Sequence, residues 1–134
     1  MSGLNEIGVQ VQQAPAHHGA AQAVLKELEA SLEVLLRTGK EHSIDLRSLP
    51  LSPTDLEYLK DTLGSGEVRV EINALGRSDV IETEIRGVWW VTHHNSLDAV
   101  MAEFLEVSFC PDIIRAQHDD VRESLDQLSA RLCP

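Results

Sequence analysis

The sequence predicts an α+β domain, a mostly antiparallel β-meander with about three helices packed on one face. Three observations predict it. Val68, Val70 and Ile72 alternate strictly with Glu67, Arg69, Glu71 and Asn73, and Ile81, Thr83 and Ile85 alternate with Glu82, Glu84 and Arg86. Such period-two patterning marks half-buried strands. On both sides of this stretch, apolar residues recur instead at every third and fourth position, the helical period. The resulting order, α-β-α-β-β-β-β-α, favours helices over an antiparallel sheet and lacks the strand–helix alternation of a parallel doubly wound fold.

Taken in chain order, residues 1–16 have no clear period and read as a loose leader before a single domain over 17–134. Ala21, Val24, Leu25, Leu28, Leu32, Leu35 and Leu36 then define a helix near 18–38, with Arg37 in its last turn and Gly39 as its cap. Ile44 and Leu46 alternate with Asp45 and Arg47, which predicts a short strand over 44–48 that Pro50 stops and that joins the sheet. Ser52-Pro53-Thr54-Asp55 starts a second helix over 53–63 with stripe Leu56, Leu59 and Leu63, and Gly64 ends it.

The meander follows over 66–109. At Gly87 alternation gives way to Val88-Trp89-Trp90-Val91, and an apolar run bounded by glycine reads as a strand covered on both faces. Ala99–Phe109 is the last strand, closed by Pro111. A third helix near 118–132 carries Val121, Leu125, Leu128 and Leu132. The expected core is Leu25, Leu28, Leu32, Leu56, Leu59, Val70, Ile72, Val88, Val91, Leu125 and Leu128.

Charge excludes several partners. Eleven Lys and Arg against 22 Asp and Glu give a formal charge of −11. Nucleic-acid phosphates and anionic membranes both need clustered basic residues. No apolar run approaches the roughly 18 residues of a membrane-spanning helix, and the start lacks the basic region and apolar core of a signal peptide. Cys110 and Cys133 have no short spacing, so free thiols in the cytoplasm are expected.

Glu82 and Glu84 are two apart on an expected strand, which puts both on one face. With Glu67 or Glu71 they would form an acidic patch that either docks a basic segment or is simply a solvated strand face. Trp89 and Trp90 are adjacent and face opposite ways. One enters the core under the helices. The other is either a partner anchor on an open face or is covered by a loop or a second subunit. Glu106, on the last strand, completes the expected partner-binding set of Glu82, Glu84, Trp89, Trp90 and Glu106.

His93 and His94 point apart on a strand and share no metal without Cys110 or a carboxylate converging on one of them. There is no CxxC, HxH or thiolate cluster. Cys110 would need a base brought to it by folding, and it reads equally as a small buried apolar residue. No catalytic residue, metal or cofactor is expected.

The motifs LPLSP, LGSGEV, IETEIRGVWWV and FLEVSFCP, in this order, resemble the HupH/HyaF family of hydrogenase expression proteins. The similarity is to the domain forming the C-terminal region of those proteins and covers about residues 44–115, with the flanking helices. It implies an accessory, non-catalytic role in maturing a nickel–iron hydrogenase. The partner would be an immature hydrogenase subunit, the iron–sulfur small subunit favoured, or another maturation protein, with no nucleic acid and no membrane insertion. The family has no agreed catalytic residues to carry over. The rival readings are a metal-handling or enzymatic factor, which needs Cys110, His93 or His94 and a carboxylate to converge, and a homodimeric assembly module, which needs exposed leucines or an unpaired strand edge.

Overall fold

The computed structural model describes residues 18–133, so the expected leader lies outside the described residues. Three helices, α1 (Gly19–Thr38), α2 (Pro53–Leu63) and α3 (His118–Leu132), accompany five strands, β1 (His42–Asp45), β2 (Arg69–Asn73), β3 (Arg77–Glu82), β4 (Val88–His94) and β5 (Val100–Val107). The strands form one antiparallel sheet in the order β1-β5-β4-β3-β2. β2 to β5 are the expected meander, and β1 joins it at the β5 edge. No helix among the described residues is long and apolar enough to cross a membrane.

Local chemistry sets the boundaries. Gly39 takes a left-handed conformation (φ 78°) and its N–H donates to Leu35 O, ending α1. Ser52 and Asp55 cap α2 reciprocally, each side chain accepting the other's backbone N–H at 3.0 Å. β1 stops at Asp45, short of the predicted Ser48, because the Asp45 carboxylate accepts the Arg47 N–H at 3.0 Å and starts a 3-10 turn, Leu46–Ser48. Leu46 is still buried.

Apolar side chains pack on both faces of the sheet. On the helix side Val24 and Leu28 of α1 and Leu59 and Leu63 of α2 meet Ile44, Leu105, Val107, Val88 and Trp90, with Leu25, Leu32 and Leu56 packed around them. This core takes residues from β1, β5 and β4 and none from β3 or β2, so the helices cover only part of that face. On the other face Val80, Trp89 and Val91 form a second cluster with Val70, Phe104 and Ile114. Ile114 belongs to a 3-10 turn, Asp112–Ile114, that follows β5 and folds back over the sheet.

One expectation fails here. Leu125 and Leu128, predicted in the core, are 66% and 58% exposed, and no residue of α3 is buried. Two helices pack on the sheet, not three. Helical periodicity shows that α3 has an apolar face, but not that this chain covers it.

Candidate functional site

The part of the helix-side face that the helices leave open is a groove of about 370 Å³. α2 supplies Lys60 and Gly64, β3 supplies Asp79 and Ile81, β4 supplies Trp90 and His94, and β5 supplies Glu103. The Trp90 indole N–H donates to the Glu103 carboxylate at 3.0 Å, and Lys60 Nζ lies 5.2 Å from the centre of its ring. A cation over an indole face and a carboxylate at its edge both suit the ring's charge distribution.

At the other end of the groove Arg77 donates from Nε to Asp79 (3.2 Å) and from Nη2 to His94 Nε2 (3.3 Å), and its Nη1 forms an ion pair with Asp98 at 3.1 Å. His94 Nδ1 lies 3.1 Å from the Arg77 carbonyl oxygen. A carbonyl only accepts and a guanidinium only donates, so these partners fit a neutral imidazole protonated at Nδ1. The hydrogen bond to Asp79, and then the charges of Asp79, Asp98 and Glu71, outweigh desolvation and hold the Arg77 guanidinium more firmly protonated than usual.

Strand register aligns three of the expected site residues on the opposite face. Glu82 pairs with Trp89, and Trp89 pairs with Glu106. The row is not an open platform. Trp89 is only 5% exposed, its indole N–H donates to Ser108 O at 3.0 Å, and Ile114 packs against its cluster. The expected outward tryptophan is therefore covered by the chain's own post-β5 segment and is no exposed anchor. Trp90, only 7% exposed, is the tryptophan that borders an open groove. Desolvation, with the nearby charges of Asp112 and Glu41, pushes the Glu106 carboxyl above the usual carboxylate range.

Glu82 and Glu84 do not share a strand face. β3 ends at Glu82, Thr83 is buried with its hydroxyl bonded to Ile85 O and Val88 O, and Glu84 lies in the turn beyond. The Glu84 N–H donates to Leu63 O at 2.9 Å, and its side chain lies so near Gly64 that a Cβ there would collide with it. Folding nevertheless gathers Glu67, Glu82 and Glu84 around one shallow depression of about 280 Å³ beside Gly66. Arg86 is the one basic residue lining it, 3.7 Å from Glu67. Ser65 and Thr83 line both depression and groove, so the two adjoin.

Trp90 lines the groove and Glu84 the depression; Glu82 also lines the depression, although its pairing with Trp89 turns its side chain to the opposite sheet face, and Trp89 and Glu106 line neither. Sequence reasoning missed Lys60, Asp79, His94 and Glu103 as groove residues. The parity of Trp90 with Thr92 and His94 on one strand is the signal that could have placed His94 there. The candidate reactive groups stay apart. His93 bonds Ser78 Oγ at 2.7 Å on the second-cluster face, edge-on to Phe104, while His94 lines the groove on the other face. Cys110 is half-buried beyond β5, its Sγ 3.8 Å from the Pro111 carbonyl oxygen. Among the described residues no group of three or more His, Cys, Asp or Glu could hold a metal ion.

Residues 19–133 match the family model described as the HupH hydrogenase expression protein, C-terminal conserved region. The chain belongs to this family. It is 31% identical to the hydrogenase expression/formation protein HupH of Rhizobium leguminosarum bv. viciae over 116 residues, which is 85% of this chain and 41% of that protein. It is 28% identical to HoxQ of Cupriavidus necator over 128 residues, 95% of this chain and 45% of that protein. The chain thus spans less than half the length of either relative. A solved structure of the hydrogenase expression protein HupH from Thiobacillus denitrificans superimposes with a TM-score of 0.81 at 42% identity, covering 85% of this chain and 95% of that one. All the groove residues named above lie within the span that matches the HupH family.

Proposed function

We propose that this domain is a non-catalytic accessory factor in the cytoplasmic maturation of a nickel–iron hydrogenase, and that it holds an immature subunit by an extended basic segment. Membership of the HupH family and the names of its relatives support the hydrogenase connection. One observation carries the binding mode: the groove beside Trp90 adjoins a depression lined by Glu67, Glu82 and Glu84 and by a single basic residue, Arg86. A basic peptide lying along it would place its cations among Glu67, Glu82 and Glu84 and its backbone across the uncovered part of the sheet. The small subunit is the favoured partner, because exported hydrogenase small subunits carry a twin-arginine signal, a segment of the required charge.

The test is capture of purified small and large subunits, with and without the signal segment, on immobilised domain. The small subunit should be retained and should be lost when the segment is removed. The E67Q/E82Q/E84Q variant should bind more weakly, most visibly at low salt, because exposed charges are screened beyond about 8 Å at physiological ionic strength. Retention of neither subunit would remove the support for a chaperone. Unchanged capture by the triple variant at low salt would move the site elsewhere on the domain.

A further inference from the structure

Two apolar features outside the groove are complementary. The first is the stripe on α3. Val121, Leu125, Leu128 and Leu132 follow at spacings of four, three and four, and their exposures are 55, 66, 58 and 73%. At 100° per residue Arg122 and Arg131 flank this stripe on opposite sides, and Asp119, Glu123 and Asp126 lie on the back of the helix.

The second is a furrow of about 550 Å³ between α1 and the end of α2, with Ile85 and Val88 also lining it. Leu25, Leu28, Leu32 and Leu36 line it from α1 at spacings of three, four and four, and Leu36 is 80% exposed. Glu29 and Glu33 stand beside them. Each row of four spans twelve residues, eleven rises or about 16–17 Å of helix. Ridge and furrow agree in length, Leu36 and the part-buried Leu25 and Leu32 being open to a partner while Leu28 forms the buried floor, and Glu29 and Glu33 beside the furrow are opposite in charge to Arg122 and Arg131.

We propose that this chain forms a two-fold homodimer in which α3 of each copy lies in the α1–α2 furrow of the other. Contiguous exposed apolar surface on a soluble protein marks an interaction site, and here the chain carries both halves of one. Reciprocity matters to the assembly. Ridge and furrow are different patches, so a one-way contact would leave a free ridge and a free furrow and would propagate, whereas mutual exchange closes it. The buried contact would be leucine on leucine, with Glu29 and Glu33 along one edge of the furrow, within reach of the arginine, Arg122 or Arg131, that faces that edge.

The test is molar mass by light scattering during gel filtration, over a dilution series of the full chain. Twice the mass of one chain is expected. The L125E/L128E variant alters only exposed positions, so circular dichroism should report an unchanged fold while the mass falls to one chain. The L36E variant should do the same from the furrow side. Each variant keeps the half that the other has lost. Mixing them should restore a two-chain species holding one of each, at a higher concentration than the unaltered chain needs. A monomeric unaltered chain at the highest attainable concentration overturns the proposal. So does an L36E variant that stays dimeric, since α3 would then pair with α3. A mixture that yields no two-chain species at any concentration overturns it as well.

Discussion

Trp89→Phe tests whether the segment after β5 is pinned by the indole N–H. The substitution keeps an aromatic ring in the second cluster and removes the donor that meets Ser108 O at 3.0 Å. The orphaned carbonyl is buried, and leaving such a group unsatisfied costs about 1–3 kcal/mol. The smaller ring leaves a void of at least methyl size, worth about 1 kcal/mol more. The expected loss is therefore about 2–4 kcal/mol, against a total of about 5–15 kcal/mol for a domain, so the variant should still fold.

Urea unfolding followed by circular dichroism should show a lower midpoint with an unchanged slope. Hydrogen exchange at the Ile114 amide, which bonds Pro111 O at 3.2 Å, should accelerate. Trp90→Phe is the control. Its lost partner is the Glu103 carboxylate at an open groove, where water replaces the bond, so the post-β5 segment should stay protected. A Trp89→Phe variant within about 0.5 kcal/mol of the parent, the range of neutral surface substitutions, would refute the pinning. Equal loss of Ile114 protection in both variants would refute it too.

Two further outcomes are expected. Glu106→Gln should raise stability at neutral pH: burial and the charges of Asp112 and Glu41 favour the protonated form in the folded state, so the parent loses stability as pH rises from the ordinary carboxylate range through the raised folded value. Melting temperatures should differ at pH 7 and converge below the carboxylate range, and a variant less stable than the parent at pH 7 would show that the charge is favourably partnered. Gly66→Ala should destabilise by about 1–3 kcal/mol, an overpacking cost, because its Cβ would stand 2.7 Å from Thr83 O and 2.9 Å from Glu82 O; an unchanged urea midpoint would show that β2 moves aside freely.

The helices were legible because each carries an unbroken period, and the meander because alternating or apolar runs are separated by turn residues. Leu28 and Leu59 repeat on helical faces, and Val88 and Val91 lie in the apolar run expected to be covered on both sides, whereas the alternation expected through Ile85 stops at Glu82 and the buried residue of β3 is Val80. What covers a face was not legible. The apolar run through Trp89 and Trp90 implied cover on both sides, but Phe109–Arg115, which supplies it for Trp89, has no period to announce that it folds back. The α3 stripe has a clear period, and that period is equally satisfied inside one chain or between two. Of the site, the acidity of Glu67, Glu82 and Glu84 was readable. Their grouping was expected from a shared strand face, but the way it is built was not legible, since β3 ends at Glu82 and the turn carries Glu84 beside Gly64.

The pairing of β1 with β5 constrains the order of folding. Ile44 lies opposite Leu105, 61 residues along the chain, whereas β2 to β5 are joined by three short turns. Closing a long loop before its contacts form costs chain entropy that a hairpin avoids. The meander should therefore assemble first, with β1 added after the main barrier. Ile44→Val should then speed unfolding while leaving the folding rate nearly unchanged, a φ-value near zero. A value near one would place the first and last strands together in the nucleus. If β1 does add late, there is an interval in which the outer edge of β5 stands bare. In that interval, more than in the finished fold, the chain is open to pairing with the wrong strand.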